Sequence, residues 1–237
     1  FPNPFLMSSI SNYKKFAFQI KDLDPNKFWE VNYSTKEKKE LHNFVWLSSI
    51  DRKDNASTLR KIISLWNVKN LKYNSLVWET SVISKRIMSW VLNADIILKN
   101  SNFEFKKSFI ESLVIQTNHL KKNLKYEIDY QKKIEIITAL ILSGLVFKEY
   151  EENYEYSLKE LEKLSEIFFD EAGFPITRNP YDLLIYTKYF LLIKEVIKDA
   201  QKYVPGYLDE ILEKNLECLK QITTPINTLP LLNGSFA

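Results

Sequence analysis

The chain has 237 residues, 45% apolar and 14% aromatic, with a formal net charge of +3 and a pI near 8.6. That balance supplies a packed core for one large or two small domains; it is too weakly basic to argue for duplex nucleic acid, which usually needs a concentrated basic face, and it admits an anionic substrate. A single cysteine, Cys218, excludes an internal disulfide, and with two histidines and no Cys/His cluster neither a metal nor a cofactor is expected in this domain.

Residues 1–33 read as an irregular arm. Pro2, Pro4 and Pro25 interrupt any helix, and Phe16-Ala17-Phe18-Gln19-Ile20 has the pattern of a short extended segment. Phe16, Phe18, Phe28 and Trp29 are expected to pin this arm to a helical body.

From residue 34 helix follows helix. Ser34-Thr35-Lys36-Glu37 is a capping box, and the helix it opens carries Leu41, Phe44, Val45 and Leu47 at helical spacing. Apolar periodicity predicts further helices over 57–66 and 80–99. A second capping box at Ser101-Asn102-Phe103-Glu104 opens one that carries Phe109, Leu113, Leu120 and Leu124. Asp129 is the expected cap of the next, which reaches Phe147 and is apolar on nearly all sides, as an interior helix is. Glu135, Thr138 and Ser143 interrupt that run, which is too short to cross a bilayer, and no membrane partner is expected. Ser157-Leu158-Lys159-Glu160 is read as the start of a helix ending at Phe169. Asn179-Pro180 opens one that runs to about Tyr203, and Pro205 starts the last, ending near Ile222. Residues 223–237, with Pro225, Pro230 and Gly234, are expected to be non-helical.

Residues 169–181 are the best-marked loop, holding one of the four glycines and two of the eight prolines. The loop brings Arg178, Asn179 and Tyr181 together between two rigid elements. Local chemistry also explains them more simply: Asn179 is a good N-cap, Pro180 suits the first helical position, and Asp182 suits the positive first turn. The sequence contains no HExxH, GxSxG, P-loop or GxGxxG motif. About eight helices joined by short loops imply antiparallel hairpins.

Several phrases occur in the order found in the N-terminal domain of heparinase II/III-like polysaccharide lyases. Leu41-His42-Asn43-Phe44-Val45-Trp46-Leu47 resembles the family's entry motif, and Trp78, Arg86 and Trp90 resemble its W…R…W helix. Residues 116–147, with a Leu-rich stretch ending in Ser143-Gly144-Leu145, resemble its paired helices, and Asp170 to Pro180 resembles its RNP-like loop. Leu229 to Gly234 resembles the point where the helical domain hands over to a C-terminal β-sandwich.

The resemblance implies an all-α fold, an incomplete (α/α) toroid of antiparallel hairpins over 34–222, preceded by the 1–33 arm. The 223–237 tail then leads toward a β-sandwich partner domain that this chain does not include. It implies an acidic, uronic-acid-containing polysaccharide as substrate and β-elimination as chemistry: a proton leaves C5 and the oxygen at C4 is expelled. Such a reaction needs a group that neutralises the carboxylate, a base and an acid. The position matching the family's neutralising Asn or His reads Gln131, and Tyr181 falls one residue or so from its catalytic Tyr. Arg178, Asn179, His119, Trp78, Arg86 and Trp90 are the implied substrate contacts. For each, a structural role stands beside the functional one: an ion pair with Asp170 or Glu171 for Arg178, a core position for Trp78 and Trp90. A periplasmic location goes with the family, a cytoplasmic one otherwise. Because half of the implied site is missing, the chain alone is expected to bind without turnover. A non-catalytic glycan-binding module and a helical protein-interaction scaffold are the alternatives.

Overall fold

The structure, a computed structural model, describes residues 24–29, 33–50, 56–224, 228–230 and 232–233. The extended segment at 16–20, with Phe16 and Phe18, lies outside the described residues, as do Pro2, Pro4, Pro225 and Gly234. The described helices group into two compact units, divided between Lys125 and Tyr126.

In the first unit the capping box forms as read. Ser34 Oγ accepts from the Glu37 N–H, Glu37 Oε2 accepts from the Ser34 N–H at 2.8 Å, and helix α1, Thr35–His42, follows. The helix does not continue through Leu47. Phe44 takes the left-handed backbone (φ 58°), and a 3₁₀ turn, Val45–Ser49, replaces the predicted last turns. The bend lets four consecutive residues, Phe44, Val45, Trp46 and Leu47, all turn inward, each no more than 2% exposed. A straight helix would have put some of them in water.

Helix α2 is Ala56–Asn70. The helix predicted over 80–99 is two, α3 Thr80–Leu92 and α4 Ala94–Leu98, divided at Asn93, whose amide donates to Ser89 O at 2.8 Å. Helix α5, Phe103–Leu124, is capped by Asn102 and not by Ser101: Asn102 Oδ1 accepts from the Phe105 N–H at 2.9 Å, while Ser101 Oγ turns back to Leu98 O. Phe44, Trp66, Trp90 and Phe109 pack ring against ring, with successive centroids 5.2–6.1 Å apart, to make the core. Phe28 and Trp29 pack on it as expected, Phe28 against Trp46 and Trp29 stacked on His42.

In the second unit Asp129 caps α6, Tyr130–Val146, accepting from the N–H groups of Gln131 and Lys132. Every residue from Ile134 to Gly144 is buried, so α6 is interior. A 3₁₀ turn, Lys148–Tyr150, leads into α7, Glu151–Phe168. The helix therefore starts before the predicted Ser157, which lies fully buried within it. Gly144 permits the close approach of the two helices, since a Cβ there would meet Tyr154 N at 2.6 Å. Helix α8, Pro180–Asp199, is capped by Asn179 with Pro180 in the first turn; α9 is Gly206–Ile222. Residues 223–224, 228–230 and 232–233 are non-helical, and among the described residues extended pairing is confined to one bridge between Phe169 and Pro175.

Candidate functional site

Two cross-links fix the register of α6 and α8. Tyr186 Oη donates to Tyr130 O at 2.6 Å, and further along both helices Tyr189 hydrogen-bonds Glu135. The partners advance together, so the helices run parallel and start at the same end of the unit. That end collects four of the residues singled out in the sequence: Gln131, exposed in the first turn of α6, and Arg178, Asn179 and Tyr181 around the start of α8. Two positive helix termini lie there side by side.

The individual side chains are largely committed. Asn179 Oδ1 caps α8 by accepting from the Tyr181 N–H at 2.8 Å. Arg178 has left-handed backbone (φ 55°), donates to Asp170 at 2.5 Å and lies over the Phe174 ring at 5.9 Å. Burial alone would raise the Asp170 carboxyl, but the Phe174 N–H and the Arg178 guanidinium outweigh it and hold the group below its ordinary value. The loop is anchored from beneath by α9. Asn215 Nδ2 donates to Gly173 O at 2.7 Å and Cys218 Sγ to Ala172 O at 3.2 Å. Cys218, read as a small buried hydrophobe, is 9% exposed.

Beneath this end lies a group that the sequence reading did not single out. Glu135, Tyr186 and Tyr189 are each 1% exposed. Burial first, then the Glu135 charge and hydrogen bond, push the Tyr189 phenol well above its ordinary value; burial, then Asp182 and Asp129, do the same for Tyr186. Both phenols donate and so join the two helices. The signal in the sequence was Glu135 itself, a charge inside an apolar run.

The other four residues lie in the first unit. Trp90 and Arg86 are fully buried and offer no surface to a ligand. Arg86 Nε donates to Gln116 Oε1 at 2.6 Å, and its Nη atoms to His42 O and Val77 O at 2.8–3.3 Å. Trp78 is 5% exposed, with Nε1 donating to Asn70 O at 2.8 Å. His119 is half-buried and packs its ring edge-to-face on Trp78 at 5.2 Å, with the Tyr73 ring 6.3 Å away. Burial and Lys122 lower the His119 pKa against an opposing hydrogen bond with the Trp78 backbone.

A cavity of about 350 Å³ opens between α7 and α9 in the second unit, with Glu162, Glu166, Asp170, Glu171 and Glu210 around Phe169 and Tyr207. Five carboxylates against one Lys214 make it unsuited to an anionic ligand. Among the described residues no group of three or more His, Cys, Asp or Glu is placed to hold a metal, and no helix is long and apolar enough to cross a membrane.

Two solved structures are similar to this chain, a mutant of heparan sulfate lyase HepC from Pedobacter heparinus and the same lyase in a second crystal structure. Their TM-scores are 0.68 and 0.65 at 16% and 17% identity. Each match covers 95% of this chain and 38% of the lyase chain. No family model matches the chain, and no curated protein does. At such identities the likeness shows the fold: the chain has the all-α toroid fold of a heparinase-like domain.

Proposed function

We propose that this chain is the polysaccharide-binding toroid domain of a heparinase II/III-like lyase, one whose complete form acts on uronic-acid-containing acidic polysaccharide by β-elimination. The observation that carries the proposal is the match over 95% of the chain to a heparan sulfate lyase fold. The end of the second unit supports it. An anionic sugar there would meet two parallel helix N-termini, the exposed Gln131 amide as a neutralising donor and Tyr181 beside it. Arg178 would clamp a carboxylate on release from Asp170. The chain spans 38% of the lyases it matches, and a C-terminal β-sandwich domain is its proposed partner in completing the acid–base machinery.

The test is to mix the chain with a panel of uronic-acid polymers, following calorimetric binding and the absorbance of unsaturated uronate. Binding without product is the expected result. Failure to bind any polymer overturns the proposal, and robust product formation overturns the claim that the site is incomplete.

A helical interaction scaffold is the second reading. The burial of Trp78 and Trp90, the Arg178–Asp170 ion pair and the acidic cavity of the second unit favour it. On this reading the partner is a basic protein surface and the polymers bind nowhere.

A further inference from the structure

We propose that the edge of the first unit formed by Tyr73, His119 and Lys122 is a subsite for one anionic sugar residue. Its ring would stack on Tyr73 and its carboxylate or sulfate would face His119 and Lys122. The inference rests on the acidic-polysaccharide reading and adds to it a place and a set of contacts.

The first observation is the platform. Tyr73 is 73% exposed, whereas the tryptophans of this unit's core are buried, and it is carried on a short segment that is held still. Trp78 fixes the segment's far end to Asn70 O, and Asn74 Oδ1 accepts from the N–H groups of Leu76 and Val77 at 3.0 and 3.3 Å. An aromatic face presented on a rigid turn loses little entropy when a sugar ring covers it. The second observation is what stands beside it. Ile115, His119 and Lys122 occupy positions i, i+4 and i+7 of α5 and so share one face, which Tyr73 overlooks through its contact with His119. Trp78 and Tyr73 both pack against the imidazole, so a sugar ring stacked on the outer face of Tyr73 lies next to it.

The third observation is charge. Lys122 lies one turn from His119 on the same face of α5, close enough for its charge to act on the imidazole. The cavity of the second unit has the opposite lining, with five carboxylates. Charge complementarity therefore directs an anion to this edge and away from that cavity. An aromatic face bordered by a lysine suits a uronate ring, whose apolar face and carboxylate lie at right angles.

The experiment titrates the full chain with heparan sulfate oligosaccharides and with oligogalacturonate, by calorimetry and by NMR of the two histidines, His119 being assigned through His119→Asn. Tyr73→Ala should weaken binding about tenfold or more, the equivalent of losing one good contact. Tyr73→Phe, which keeps the ring, should stay within about threefold. Bound ligand should raise the His119 pKa, an effect that a purely structural histidine would not show. Equal binding by wild type and Tyr73→Ala, with an unmoved His119, overturns the subsite while leaving the polysaccharide reading intact. No binding by the wild type overturns both. Tyr73 is exposed, so its replacement leaves the core untouched.

Discussion

The Arg86 guanidinium carbon lies 4.2 Å from the centre of the Trp66 ring. The cation is fully buried, and its hydrogen-bond acceptors are neutral: Gln116 Oε1, His42 O at the end of α1, and Val77 O just before α3. Burial pushes the Arg86 pKa well down, and the ring face with these acceptors replaces the lost water. One side chain thus ties α1, α3 and α5 together and caps the His42 carbonyl that α1 leaves open at its end.

Arg86→Lys should be strongly destabilising although charge is conserved. An ammonium is a single point and cannot reach three acceptors or stack on Trp66. With buried acceptors left open, the loss should be about 2–4 kcal/mol. Denaturant unfolding with hydrogen exchange on residues of α3 checks it; a loss below about 1 kcal/mol would show that the guanidinium fork is not what binds these elements.

The stability of the first unit should fall on acidification through a window set by His42. Its Nδ1 accepts from Trp66 Nε1 at 3.0 Å, and burial, then the Arg86 and Lys38 charges, push its pKa down from 6.5 to about 4. The unfolded chain takes up this proton near pH 6.5 and the folded chain only near pH 4. The contribution is therefore whole above pH 6.5 and is lost as pH falls toward 4, by at most about 3 kcal/mol. A His42→Gln chain should show a flatter profile across that range.

Helices were legible in the sequence wherever caps and periodicity agreed. Asp129, Asn179 and Pro205 mark the starts of α6, α8 and α9, and the apolar wheel of α6 marks it as interior. Misreadings came where tertiary packing overrode local pattern. Ser157 looks like a cap but is carried into the core within α7, and Phe44 gives up helical backbone so that four residues in a row are buried. At the candidate site, Gln131, Arg178 and Tyr181 share one end of the second unit because each sits beside a helix start, which caps and prolines mark in the sequence. Nothing local said that Tyr189 would find Glu135 across 54 residues. That pairing depends on the parallel register of two helices, which periodicity along one helix does not contain.

A double-mutant cycle on Glu135 and Tyr189 should reveal strong coupling. Removing the phenol oxygen alone, in Tyr189→Phe, leaves a buried carboxylate short of a donor and should cost about 2–3 kcal/mol. Glu135→Gln retains an acceptor and should cost less. The pair changed together to Phe and Leu should be less harmful than the sum of the single changes, since neither polar group is then stranded. Additive costs would mean that the two side chains do not share a bond.

Gly173→Ala should loosen the loop without disturbing the helices. Gly173 has φ +85°, and a Cβ there would collide with Lys214 Cβ on α9. Backbone strain and clash together should cost about 1–3 kcal/mol. The readout is faster hydrogen exchange at Gly173 and Phe174, whose N–H groups bond to Asp170. Unchanged exchange would show that the loop does not depend on its seat against α9.

Arg178→Ala separates a structural from a recognising role. The Arg178 side chain is 57% exposed and the Asp170 side chain 29% exposed. An ion pair in such contact with water contributes no more than about 1 kcal/mol. Asp170 also keeps the Ala172 and Phe174 N–H groups as donors when the arginine is gone, so the turn survives. Stability should therefore barely change. If Arg178 moves from Asp170 to a sugar carboxylate, the same substitution should weaken uronic-acid oligosaccharide binding about tenfold, and Asp170→Asn should strengthen it by releasing the guanidinium. An affinity that follows stability in both variants would confine Arg178 to holding its own loop.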